Sequence, residues 1–275
     1  MSVAVRARGL GARYRRDRAL RDCSFEVAPG GVTALVGANG AGKSTLLKLA
    51  AGLLRPTEGV LEVRGEVGFV AQEKPLYRGF TVAEMLEYGR RANPRWDDRY
   101  ARDLVDRAGL PRDRRTGRLS GGQRASLSLV LALARRPDVL LLDEPLAEMD
   151  PVAREDAVRW VMLAVEETGV AVLLSSHVVA DLDGVCDRLL ALDRGEVRLD
   201  GPVEDLVDGH RLVVAPRDTD LGAHEVIQER AGERQLTALV RLRGPLELPD
   251  DQVTTPNLDE LVVAYLRRGR AAVAA

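Results

Sequence analysis

Cysteine is almost missing from this 275-residue chain: Cys23 and Cys186 are the only two, and they stand far apart. Neither a disulfide framework nor a cysteine-based metal cluster can be built from them, and a reducing cytoplasm is the expected setting. Lysine is scarce as well. Lys43, Lys48 and Lys74 are the only ones, arginine carries the rest of the positive charge, and acidic residues balance it to a formal net charge of −2. That balance offers no electrostatic reason for nucleic acid to bind, and none is expected as a partner. Long apolar runs are lacking too. The longest, 127–134 and 170–174, are far too short to cross a bilayer, and no signal peptide is visible. If the protein works on a membrane, another chain must cross it. There is no internal repeat and no low-complexity linker between equal halves, so one large domain with a smaller piece is expected.

What is present is concentrated chemistry. The stretch Leu35–Leu47 reads LVGANGAGKSTLL. Val32–Val36 is a short apolar run suited to a buried strand, and Gly37, Gly40 and Gly42 allow the following backbone to turn its N–H groups toward an anion. Lys43 offers a positive charge to terminal phosphates and Ser44 a hydroxyl to Mg²⁺, while the helix predicted from Ser44 to Leu54 points its N-terminal dipole at the same place. The Walker A pattern G-x-x-x-x-G-K-[ST] is complete, and Gly37, Asn39, Gly40, Ala41, Gly42, Lys43, Ser44 and Thr45 are the candidate contacts to a nucleoside triphosphate.

The second constellation is LLLDEP. An apolar strand ending in Asp143 carries a carboxylate to the sheet edge, within reach of a Mg²⁺ shared with Ser44 and the phosphates. Glu144, next along and turned to the other side of the strand end, is placed to polarise a water against the terminal phosphate. Around these motifs, alternating residues at the start predict an antiparallel β layer. A charge-rich helical segment occupies 81–134, and buried parallel strands at 138–145 and 170–177 flank a helix over 152–167. The expected fold is an α/β P-loop NTPase core with an N-terminal antiparallel β layer and a helical insertion.

A third stretch, Leu119–Gln123, reads LSGGQ and lies one helix upstream of the Asp143 strand. In that position it resembles the signature motif of ATP-binding cassette (ABC) ATPases, a resemblance that covers residues 2–202. The family implies ATP with Mg²⁺ as the bound species, held by Ser44, Gln72 and Asp143. It also implies roles for further residues. Tyr14 resembles the aromatic that stacks on adenine, Gln72 the glutamine that senses the γ-phosphate and metal, His177 the histidine at that phosphate, and Asp150 the aspartate of the loop after the catalytic glutamate. In the family, ATP lies between the Walker A loop of one subunit and the signature of another. Ser120, Gly121, Gly122 and Gln123 would therefore complete the site of a second ABC subunit, as homodimer or heterodimer. One departure stands out: LAEMDP places Glu148 and Met149 where a small residue and leucine are common. Met149 conserves volume, but Glu148 adds a charge near the expected dimer seam.

The aromatic-rich stretch Tyr77–Gly89 follows Gln72, with a capping box at Thr81 and Glu84. In ABC transporters this region receives membrane permease subunits, which implies a cytoplasmic protein held at the inner face of the membrane. Arg90–Leu110 most resembles exporter-type ATPases acting on drugs, lipids or peptides, so export is the expected direction and import the alternative. A soluble ABC ATPase of DNA repair or translation is the other alternative, disfavoured by the lack of a long coiled coil, a second cassette and a basic stripe. Residues 203–275 are expected to form a small α+β extension. It contains a hairpin around Gly232 and a final helix capped by Asn257 and Glu260, whose apolar stripe, Leu258, Leu261, Val262, Tyr265 and Leu266, packs onto the cassette.

Overall fold

Alternating residues at the start of the chain form antiparallel strands, β1 (Val5–Tyr14) and β2 (Asp17–Val27). They lead into β3 (Val32–Val36), the phosphate-loop segment and helix α1 (Lys43–Ala50). β4 (Glu58–Val63) returns to the first layer and β5 (Val67–Val70) enters the second. Three helices follow, α2 (Val82–Ala92), α3 (Asp98–Arg107) and α4 (Gly121–Leu133), then β6 (Val139–Asp143), α5 (Pro151–Thr168) and β7 (Ala171–Ser176). β8 (Arg188–Asp193) and β9 (Glu196–Pro202) close the large sheet. The remainder is α6 (Val203–Asp208), β10 (His210–Pro216), β11 (Glu225–Ala231), β12 (Gln235–Arg241), β13 (Val253–Thr254) and α7 (Leu258–Ala274). This computed structural model describes residues 3–14, 17–182 and 184–274.

The central sheet has the order β5-β6-β7-β3-β8-β9, parallel except for the β8–β9 pair. Every residue of β3, β6 and β7 is buried, because helices or the second layer cover both faces and leave no face for alternating polar residues. On one face, α1 sits between the central sheet and the antiparallel layer β2-β1-β4: its Leu46 and Leu47 share a core with Leu10, Leu20 and Phe25 on one side and Leu141 and Leu173 on the other. On the opposite face, α2 to α5 pack in one larger core with Leu140, Leu142, Val172 and Leu174.

α1 ends at Ala50, short of the Leu54 that its apolar pattern suggested, and Gly52 follows with φ +71°. The capping boxes at Thr81 and at Asn257 are both formed. In the tail, β11-β12-β10-β13 make a separate antiparallel sheet with its own small core. α7 does more than cover that sheet: Leu258, Leu261, Val262, Ala264 and Tyr265 join the larger core of the cassette, together with Leu189 and Ala191 of β8. No helix among the described residues is long and apolar enough to cross a membrane.

Candidate nucleotide-binding site

β3 delivers the chain to Gly37, whose φ of +154° and contact with the Leu192 carbonyl leave no room for a β-carbon. Gly42 (φ +110°) is the N-cap of α1, and a β-carbon there would meet Ala19 O at 2.6 Å. No acidic side chain occupies the first turn of α1, so the positive end of the helix faces the loop unopposed. Lys43 is buried and donates from Nζ to Gly37 O at 2.7 Å, which ties the lysine across the loop it follows.

β6 ends at Asp143, fully buried in the sheet edge. Ser175, on neighbouring β7, donates from Oγ to Asp143 Oδ1 at 2.9 Å and accepts the Glu144 N–H at 2.9 Å. Asp143 Oδ2 has no hydrogen-bond partner among the described residues. The chain then turns sharply, with Glu144 at φ +49°, a left-handed conformation that a non-glycine residue holds only when its surroundings dictate it. The turn brings Glu144 Oε1 to 3.5 Å from Lys43 Nζ and lets Oε2 accept from His177 Nδ1 at 2.8 Å.

One cavity of about 400 Å³ collects these groups. Tyr14, Asn39, Gly40, Ala41, Gly42, Lys43, Ser44, Thr45, Gln72 and Glu144 all line it, with Ala19 and Ala38. Gly37 and Asp143 are buried and are not among its lining residues. His177 borders an adjoining depression that shares Glu144 with the main cavity, and 49% of its side chain is exposed.

The other expected residues are placed elsewhere. Ser120 caps α4, accepting from Gln123 N at 3.1 Å, while Gln123 Oε1 accepts from Ser120 N at 3.1 Å. With Gly121 and Gly122, these residues form the first turn of α4 and do not line the cavity. Asp150 caps α5, its Oδ1 accepting from Val152 N and Ala153 N at 3.1 and 3.0 Å. Met149 is buried in the larger core, a fitting place for a leucine-sized side chain. Glu148 does not simply stand as a bare charge: it pairs within the chain with Lys74. Ser175 carries no role in the sequence analysis: the polar break in the otherwise apolar strand AVLLSS is visible there, but its carboxylate neighbours come from β6.

The ABC transporter family profile matches residues 20–147. An uncharacterized ABC transporter ATP-binding protein of Bacillus subtilis, YxlF, is 30% identical over 253 residues, covering 86% of this chain and 84% of that protein. The phosphonates import ATP-binding protein PhnC 1 of Rhodopseudomonas palustris is 34% identical, covering 74% of this chain and 83% of its own length. A sulfate/thiosulfate import ATP-binding protein, CysA of Mesorhizobium japonicum, is also 34% identical over 75% of this chain, which spans 65% of that relative. Among solved structures, the ATP-binding subunit of an ABC transporter superposes with a TM-score of 0.70 at 25% identity, over 75% of this chain and 92% of that one. A dimeric bacterial ABC transporter cassette shares the fold with a TM-score of 0.67 at 23% identity, over 72% of this chain and 98% of that one. A phosphate-loop cradle, a strand-end carboxylate pair and relatives of this extent agree: the chain belongs to the family of ABC transporter ATP-binding proteins, and is an ATP hydrolase of that kind.

Proposed function

We propose that this chain is half of an ATP-driven clamp that moves a membrane permease, with ATP held in the cavity at Lys43 and closed over by the signature segment of a second ABC subunit. One observation carries the reading: the phosphate loop, Gln72 and Glu144 line one cavity, while Ser120–Gln123 of the same chain do not reach it. A second subunit supplying that turn would complete the shell with Ser120 Oγ and the amides of Gly121 and Gly122, so the terminal phosphate favours the closed pair and hydrolysis releases it.

Within the site, Tyr14 offers its ring to adenine, and Lys43 with the loop amides binds the phosphates. Glu144 accepts a proton from the attacking water, and its carboxylate is held in place by His177 and Lys43. Ser44, Gln72 and Asp143 are the residues that would hold Mg²⁺. The fit rests on Asp143, whose buried and unpartnered Oδ2 suits a cation or a water bound to one. Bound there, Mg²⁺ would supply charge neutralisation between the phosphates.

For the permease, the chain offers a surface beside Gln72. Tyr77, Phe80 and Tyr88 are 55%, 38% and 46% exposed, and their rings stand against one another with centroids 5.2 to 6.4 Å apart. Exposed aromatics grouped in this way are anchors for a protein partner. Import is the favoured direction, because the relatives cited above whose names state a direction are import proteins, and none of the names cited states export.

Co-expression with its genomic neighbours and extraction in detergent tests the reading. The chain is expected to co-purify with a multi-spanning protein, and Tyr77→Glu or Phe80→Glu to lose it while ATP hydrolysis by the isolated chain continues. A chain that stays wholly soluble and crosslinks through this segment only to nucleic acid or ribosome would overturn the transporter reading and leave the ATPase standing. In proteoliposomes carrying the complex, stimulation of hydrolysis by solutes on the face opposite the cassette marks import, and stimulation from the cassette side marks export.

A further inference from the structure

We infer that Glu148 is a positioning residue, a single carboxylate that ties the Gln72 segment and the start of the signature helix to the segment running from Glu144 to Asp150. This rests on the ATPase reading above and deepens it. Glu148 Oε1 lies 3.0 Å from Lys74 Nζ, and Oε2 lies 3.6 Å from the guanidinium of Arg124. The same carboxylate stands against Gly121, where a β-carbon would collide with it, and Glu148 O lies 3.2 Å from the place of a β-carbon on Gly122. Lys74 is two residues beyond Gln72, Arg124 directly follows Gln123, and Glu148 lies between Glu144 and Asp150. Three segments that carry candidate ATP contacts therefore meet on one side chain.

The burial is unequal, and this gives the contact its direction. The Lys74 side chain is only 2% exposed, and that of Glu148 is 44% exposed. The ammonium also donates to Gln72 O at 3.4 Å. A buried ammonium is costly to leave without its counter-charge, so Lys74 must remain with Glu148 or move out toward water. Lys74 also holds φ at +46°, a conformation the surroundings must maintain. A displacement of Gln72 toward a terminal phosphate would thus draw on Glu148, and with it the turn at Gly121 and Gly122 that a second subunit's nucleotide would meet. The Arg124 contact is longer and more exposed, and serves as the weaker arm. The charge that the sequence placed at the expected dimer seam is directed inward, joining parts of one subunit.

The experiment is a charge swap read by nucleotide binding and by turnover separately. For Glu148→Gln, ATP binding to the isolated chain should stay within about 2-fold of the native value, while kcat falls on the order of 10-fold with little change in KM, as coupled contacts of this kind allow. Glu148→Lys and Lys74→Glu should each be more impaired. The double variant, with the pair reversed, should recover to within about 3-fold of native turnover. Glu148→Asp, which keeps the charge on a shorter arm, should fall between Glu148→Gln and the native protein. Native turnover in Glu148→Gln, or a double variant no better than the product of its single variants, would overturn the inference. If the reversed variants fail to fold, the Glu148→Gln and Glu148→Asp turnovers decide it. Failure of the native chain to bind or hydrolyse ATP would instead remove the reading on which it rests.

Discussion

His177 donates from Nδ1 to Glu144 Oε2 at 2.8 Å, while the other oxygen of that carboxylate faces Lys43. The carboxylate is thereby fixed at both ends, at the wall of the cavity that the phosphate loop shapes. Glu144→Gln keeps the size of the side chain and removes the proposed proton acceptor. Turnover should drop by about 10²-fold or more with ATP still bound, and an ATP-bound dimer should accumulate, visible by size-exclusion chromatography with light scattering. Hydrolysis near the native rate would remove Glu144 from the role. His177→Ala, which frees the carboxylate without deleting it, should cost less turnover than Glu144→Gln.

In the proposed clamp, binding and closure are separable, because Ser120–Gln123 lie outside the cavity that Lys43 lines. Lys43→Ala strips the cation from the phosphate loop and should weaken ATP binding itself, measured by calorimetry or a fluorescent analogue. Ser120→Arg places bulk on the exposed N-cap of α4, outside the cavity, and should leave binding to one subunit intact while blocking dimer formation. Mixed together, the two variants should rebuild one intact composite site per dimer and recover part of the activity. Equal defects of both variants in the binding assay would count against the half-site arrangement.

The contrast between Lys43 and Glu148 shows where sequence reading stops. Lys43 is legible because everything that places it is local: an apolar strand, glycines that accept positive φ, and a helix start within a dozen residues. β6 and β7 are legible for the same reason, as short continuous apolar runs. Glu148 reads as a loose charge, because its counter-ion Lys74 is distant in sequence and arrives only when β5 and β6 pair. Ser175 meets Asp143 only because β7 lies beside β6. The apolar stripe of α7 and its packing onto the cassette are legible in the sequence; the particular partners it meets, Leu189 and Ala191 of β8 among them, are not, because they are distant in the chain.

That docking of α7 has a tight point at Gly269, where an added β-carbon would lie 2.9 Å from Asp193 Oδ2 and 3.0 Å from Arg198 Nε. Asp193 is buried at the end of β8, one residue before Arg194, and both border a second depression beside Asn39 and Gly40 of the phosphate loop. Gly269→Leu should force the helix off β8 and β9 and cost about 1–3 kcal/mol by overpacking. Chemical denaturation should show a lowered midpoint, and amide exchange should rise along α7. An unchanged midpoint would mean that the end of α7 contributes nothing to the stability of the cassette.

His210 makes the same junction sensitive to acid. It is 2% exposed, donates from Nδ1 to Leu206 O at 2.6 Å, and accepts at Nε2 from the Tyr265 hydroxyl at 2.8 Å, so one neutral ring joins α6, β10 and α7. Burial pushes its pKa below the usual histidine value and Arg241 adds to the shift, while the bond to Leu206 and the charge of Glu225 oppose it. A folded pKa below the unfolded one means that the unfolded chain takes up more protons. The stability from neutral His210 is therefore complete above the unfolded value of about 6.5 and is lost as pH falls through the lower folded value. Melts at about pH 7.5 and about pH 5.5 should show the native chain losing more stability than His210→Gln, which has no proton to gain in that window. Parallel losses in the two proteins would assign the acid sensitivity to other groups and leave His210 as a packing element only.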